Sequence, residues 1–171
     1  IQELCYSNPL KAADAIVKFS SVLRRRVDFN HYSQLEPFEK ELSCITDYID
    51  LQRMRFGDTL IFHSDIQYTQ FDIPPLSIQT LIENAIYHGI RKKKSGGILT
   101  LKTYKENNII YIIVSDNGIG FDLNVLQNSK GNGIHNSQAR IVSLTGGSLN
   151  IVSTPGTGTT VTIEIPQKRT F

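Results

Sequence analysis

Ile73-Pro74-Pro75-Leu76-Ser77-Ile78-Gln79-Thr80-Leu81-Ile82-Glu83-Asn84-Ala85-Ile86-Tyr87-His88-Gly89 is the stretch from which the rest of the chain can be read. Pro74-Pro75 suits the start of a helix, the apolar run predicts one from Leu76 to His88, and Gly89 stops it. On that helix Ile78, Leu81, Ile82, Ala85 and Ile86 can bury, while Asn84 and His88, four apart, share another face. A carboxylate and an amide side by side in an apolar helix, Glu83 and Asn84, are costly unless they serve a ligand or lie on the surface. The amide oxygen of Asn84 suits magnesium, which keeps its waters and borrows phosphate oxygens for its remaining sites.

Upstream, Pro9 fits the first turn of a helix running to about Val27, with Ala13, Ile16, Ser20, Leu23 and Val27 as its stripe. His31 to Gln34 reads as a turn. A second helix runs from about Glu36 to Phe56; Phe38, Leu42, Ile45, Ile49 and Phe56 form a heptad-like stripe, and Gly57-Asp58 ends it. That stripe suits either a dimer seam or packing on the chain's own domain. Downstream, strands are expected from Leu60 to Tyr68, Ile98 to Tyr104 and Ile109 to Val114, the last two joined at Asn107-Asn108. A helix from about Ile134 to Leu144 and strands from Ser148 to Ser153 and Thr159 to Ile165 complete the chain. Hairpin strands mixed with a few helices point to an α+β fold, a two-layer α/β sandwich. The boundary falls near Gly57, giving segments 1–57 and 58–171.

Three further short elements offer ligand chemistry. Asp116-Asn117-Gly118-Ile119-Gly120 closes a strand: the carboxylate can accept from an exocyclic amine, and the glycines admit a planar ligand, although a plain turn is the simpler reading of it alone. Gly131-Asn132-Gly133-Ile134 puts two glycines before a helix, where free backbone amides can meet phosphates. Gly156-Thr157-Gly158-Thr159 is most simply a hairpin turn, with the Thr159 hydroxyl available to a bound ring or water.

The 171 residues are 40% hydrophobic and 20% charged with a formal charge of +2, so no basic stripe argues for nucleic acid. Arg91-Lys92-Lys93-Lys94 is either a solvated loop or a source of cations for an anionic ligand. Cys5 and Cys44 show no metal or redox spacing and read as free thiols. No run is long enough to span a bilayer and no signal peptide opens the chain, whose first residue, Ile1, suggests a piece of a longer protein.

Together and in this order the four elements resemble the N, G1, G2 and G3 boxes of the ATPase superfamily shared by DNA gyrase, the ninety-kilodalton heat-shock chaperone, histidine kinases and MutL. Ile73-Pro74-Pro75-Leu76, Gln79 and Glu83 to Gly89 resemble the LytS-like class of sensor histidine kinases. Phe19 to Arg24, Leu35-Glu36, Glu39, Tyr48-Ile49 and Gln52 to Phe56 agree with it. The resemblance implies a mixed, largely antiparallel sheet covered by helices, preceded by two helices of a dimerisation and phosphoacceptor region. It implies ATP and magnesium as ligands, with Asn84 on the metal and Glu83 polarising the attacking group. Asp116 would receive the adenine amine, Gly118 and Gly120 would shape its pocket, and Thr159 would hold the ring through water. Gly131 and Gly133 would close a lid over the phosphates, with His88 at the pocket edge. A response regulator as partner, a homodimer in the full-length protein, and a cytoplasmic domain of a membrane-anchored bacterial protein are also implied.

Two departures stand out. The family's acceptor histidine belongs to a Pro-His-Phe box upstream of Asn8-Pro9-Leu10-Lys11-Ala12, and His31, His63, His88 and His135 match no such box. Tyr87 stands where the family usually has a phosphate-touching lysine: either Arg91 or Lys92 would inherit that task, or ATP affinity would be lower. Two other readings are a superfamily ATPase or serine kinase of the anti-sigma type, and a degenerate kinase serving as a scaffold; the two leading helices fit the kinase class better.

Overall fold

In this computed structural model, which describes residues 2–27, 34–122 and 132–167, the chain opens with helices α1 (Gln2–Ser7) and α2 (Pro9–Val27). Asn8 divides them: its Oδ1 accepts the Lys11 backbone N–H at 3.0 Å, capping α2 three residues on. Strand β1 (Glu36–Pro37) leads into α3 (Phe38–Phe56), and β2 (Leu60–Ile66) and β3 (Asp72–Ile73) follow. Helix α4 (Ser77–Asn84) runs on through a wide π-type turn, Ala85–Gly89, and a short 3-10 turn, Ile90–Lys92. After β4 (Gly97–Glu106) and β5 (Ile109–Asp116) come α5 (Asn132–Thr145), β6 (Ser148–Thr154) and β7 (Gly158–Pro166).

The main sheet has the order β2-β4-β5-β7-β6, with β2 parallel to β4 and the other pairs antiparallel; β1 and β3 form a separate short pair. Asn107 and Asn108 both take positive φ, 49° and 64°, which turns β4 tightly into β5. Along β5 every second residue is buried: Ile110, Ile112, Val114 and then Asp116. Leu99, Leu101, Val161, Ile163 and Ile165 join them in one core with Ile78, Leu81 and Ile82 of α4 and Ile141 of α5. The expected α+β two-layer sandwich is present with its five main strands, and the short β1–β3 pair is an addition, with Glu36 in a strand and not in the second helix.

The helices upstream decide one reading that the sequence left open and correct another. Phe38, Ile45 and Ile49 of α3 belong to that same core, so its stripe packs on the chain's own sheet and helices. In α2 the buried residues are Ala12, Ala15 and Val22, whereas Ile16, Leu23 and Val27 of the expected stripe are exposed. Small side chains let α2 approach α3 closely, and ion pairs from Lys18 to Asp50 and from Arg25 to Glu36 and Glu41 fasten that face.

Candidate functional site

Asp116 occupies the last inward position of β5, where the alternation would otherwise place an aliphatic side chain. Its Oδ1 accepts the Gly118 backbone N–H at 2.8 Å. Burial pushes its pKa above the ordinary carboxylate value, opposed by hydrogen bonds from the Gly118 and Thr159 backbones and by the charge of Lys93. Thr159 is its cross-strand partner on β7, and the Thr159 and Ser153 hydroxyls lie 3.0 Å apart.

The backbone closes tightly around this carboxylate. A Cβ added at Gly118 would fall 2.4 Å from the Gly89 carbonyl carbon and 2.7 Å from Asp116 Oδ1. One added at Gly89 would also meet Asp116 Oδ1 at 2.7 Å. Gly120, at φ 58°, packs on the Thr154 carbonyl of the β6–β7 turn. Ile119 N–H donates to Gly89 O, Gly156 N–H donates to Ile119 O, and Lys93 Nζ donates to Asn117 O. Three chain segments far apart in sequence are thereby knitted into one wall.

The other end of the groove is looser. Asn84 is half-buried, and its Nδ2 has no hydrogen-bond partner. A Cβ on Gly133, at the start of α5, would lie 3.9 Å from that nitrogen. Glu83 Oε1 accepts Gln79 Nε2 at 3.0 Å and pairs with Arg26 of α2. The wide turn beginning at Ala85 separates His88 from Asn84: His88 is exposed, its ring edge-on to Tyr87, whose face carries the Arg91 guanidinium at 4.8 Å. Gly131 lies outside the described residues.

Residues 74–169 match the family described as histidine kinase-, DNA gyrase B-, and HSP90-like ATPase, and residues 1–60 match the histidine kinase family. The chain belongs to this ATPase family. Among relatives, the protein YwpD of Bacillus subtilis (strain 168) is 36% identical over 163 residues, covering 91% of this chain and 59% of the relative. Sensor histidine kinase YpdA of Escherichia coli (strain K12) is 35% identical, covering 95% of this chain and 30% of the relative. Sensor protein LytS of Oceanobacillus iheyensis is 35% identical, over 80% of this chain and 26% of the relative. The chain thus spans between 26% and 59% of the length of these three. The histidine kinase AdeS of Acinetobacter baumannii shares the fold at TM-score 0.60 and 16% identity, covering 98% of this chain and 84% of that one. The blue-light activated histidine kinase of Erythrobacter litoralis does so at 0.61 and 21% identity, over 76% of this chain and 42% of that one. Over most of its length this ATPase-family chain is similar to sensor histidine kinases, LytS proteins among them.

The roles of three residues of this ATPase module were missed in the sequence. Gly89 was read as a helix stop and the end of the motif, yet it walls the Asp116 carboxylate. Glu41, on α3, is fully buried and accepts the backbone N–H groups of Leu76, Ile78 and Gln79 at 2.8 to 3.0 Å, so it caps α4 from a different helix. Gln79 was noted as part of the motif, but not as the residue that orients Glu83.

Proposed function

We propose that this module holds Mg-ATP so that the γ-phosphoryl group passes to a histidine outside this chain, and from there to a response regulator. The supporting observation is the contrast between a closed backbone wall and a partnerless amide nitrogen: Gly89, Gly118 and Asp116 at one end, Asn84 Nδ2 beside Gly133 at the other. Asp116, ionised, accepts from the exocyclic amine of adenine, and Thr159, whose hydroxyl already engages Ser153, holds the ring through water. Gly118 and Gly120 keep side chains out of the ring's plane, and Gly131 and Gly133 offer backbone N–H groups to the phosphates.

A half-buried amide whose nitrogen lacks a partner within the protein fits a metal ligand, because turning its side chain by half a rotation presents the oxygen instead. Among the described residues no group of three or more His, Cys, Asp or Glu could hold a metal, so magnesium at Asn84 would take its other oxygens from phosphates and water. Bound there, the ion would neutralise phosphate charge. Glu83 polarises the attacking imidazole, and His88 with Tyr87 and Arg91 borders the phosphate side. In the full-length protein the helical segment dimerises, and segments outside this chain anchor it to a membrane; among the described residues no helix is long and apolar enough to cross one.

Calorimetric titration of ATP into the chain and into Asn84→Ala, each with magnesium and with EDTA, tests this reading. The substitution should weaken binding by about tenfold, roughly 1.4 kcal/mol, with magnesium and leave it unchanged in EDTA. Equal losses in both would reduce Asn84 to a residue that supports the fold.

A further inference from the structure

The run Arg91-Lys92-Lys93-Lys94 does not act as one cationic unit. Arg91 lies over the Tyr87 ring, and Lys92 and Lys94 are exposed. Lys93 is half-buried and reaches the Asp116 end of the groove, where its Nζ donates to Asn117 O at 2.8 Å. Its main chain is tied on both sides: its N–H donates to Ile90 O, and its carbonyl accepts from Gly96 N–H, each at 2.9 Å. The lysine therefore reaches out from a fixed point. Asn117 is fixed as well, because its Oδ1 accepts the Ile98 N–H at 2.7 Å. The peptide unit joining Asn117 to Gly118 is engaged at both ends: its oxygen accepts from Lys93, and its N–H donates to Asp116 Oδ1 at 2.8 Å. A cation on that oxygen polarises the unit and strengthens the bond that its N–H makes to the carboxylate.

We infer that Lys93 is a specificity-determining residue of the adenine end, holding Asp116 as an ionised acceptor through the Asn117–Gly118 peptide. This rests on the adenine reading above and adds a group, remote from the ring, that decides between purines. An ionised carboxylate can only accept, which suits the adenine amine and opposes the guanine carbonyl; a protonated one carries an O–H that guanine can use. Burial favours the protonated form of Asp116, and the Gly118 and Thr159 backbone hydrogen bonds and the charge of Lys93 oppose it. The positions opposite Asp116 on β4 and β7 are Leu99 and Thr159, which carry no charge. His88 and Arg91, on the turns that border Gly89, both lie against the Tyr87 ring. Lys93 is thus the cation linked to the carboxylate.

Calorimetric titration of Mg-ATP and Mg-GTP, at mildly acidic and mildly alkaline pH, tests this on the chain and on Lys93→Met, Lys93→Gln and Lys93→Arg. The ratio of the two affinities is the readout, because the titrating triphosphate is common to both nucleotides and cancels. In the unmodified chain the preference for ATP should fade as pH drops through the Asp116 titration. In Lys93→Met and Lys93→Gln the fading should begin at higher pH. Their ratio at mildly acidic pH should fall by about threefold, the size expected of a part-exposed charge interaction. Lys93→Arg, which keeps the charge and the donor, should restore the profile. A ratio lowered equally at every pH would make Lys93 a structural latch, and an unchanged ratio would make it idle; either overturns the inference. Lys93→Gln carries the same comparison if Lys93→Met does not fold. No preference for ATP at any pH in the unmodified chain would instead refute the adenine reading.

Discussion

At the Asp116 end of the groove the wall is backbone against backbone: Gly89 on Gly118, Ile119 on Gly89, Gly156 on Ile119, with the carboxylate already engaged by an N–H. At the Asn84 end, two buried polar atoms, Asn84 Nδ2 and Gln79 Oε1, have no partner. The first end is complete before any ligand arrives and so can afford selectivity; the second is completed by what binds. Defects in the first should appear in the empty protein, and defects in the second only when its ligands are present. One residue crosses this division, because Glu41 holds the start of α4 and hence the whole looser end.

The largest expected effect is therefore at Glu41. Glu41→Ala strips three backbone N–H groups of their acceptor and leaves the Arg25 guanidinium short of a buried partner. Breaking a buried charge pair costs about 3–5 kcal/mol, so urea unfolding should show a loss of that order. A loss under 1 kcal/mol would mean that α4 is placed by its apolar face alone. Next comes Gly118→Ala, whose new methyl would lie 2.4 Å from the Gly89 carbonyl carbon. Overpacking of this kind costs about 1–3 kcal/mol, and ATP binding should fall with it. Gly133→Ala meets the Thr80 methyl at 3.4 Å and Asn84 Nδ2 at 3.9 Å, both tolerable contacts, and should leave stability within about 0.5 kcal/mol. Similar losses at the two glycines would erase the contrast between the ends.

Asp116→Asn probes selectivity rather than stability. The carboxylate should favour ATP over GTP by at least about tenfold, roughly 1.4 kcal/mol, because guanine turns a carbonyl oxygen toward it. An amide can donate to that oxygen, so the preference should erode; calorimetry with both nucleotides on both proteins measures it. The smallest effect concerns pH. Burial raises the Asp116 pKa in the folded state, so the native chain holds more protons than the unfolded one between the ordinary carboxylate value and the raised one. Stability contributed by the protonated form is present below that window and lost as pH rises through it, the reverse of a salt-bridged aspartate. Asp116→Asn should flatten this slope in unfolding titrations across the mildly acidic range, and an unchanged slope would show that some other group carries it.

The sheet was legible because alternation and turn chemistry act locally. Ile110, Ile112 and Val114 fix which face of β5 is inward, and the next step of two lands on Asp116, a carboxylate on a core position followed by glycines. Glu41 was hidden by the same logic. It lies three residues after Phe38 and four before Ile45, on the buried side of α3, but an acidic residue there reads as solvent-facing until the end of α4 is known to meet it. Size misled the reading of α2, where the large residues Ile16 and Leu23 outweighed Ala12 and Ala15 although the close contact with α3 uses the small ones. The wide turn at Ala85–Gly89 has no signature at all in a sequence that scans as continuous helix.

The parallel register of β2 on β4, Leu60 opposite Gly97 through Ile66 opposite Thr103, also has a kinetic side. The antiparallel ribbon from β4 to β5 closes through a two-residue turn, and so can form early from nearby residues. β2 can join only after α4 and its turns have crossed over, since parallel strands require a long connection. Refolding should therefore place the edge strand last, with its amides the slowest to gain protection from hydrogen exchange. Until it docks, the edge of β4 stands open to pairing with a second chain, which makes the interval before docking the moment of greatest risk of aggregation.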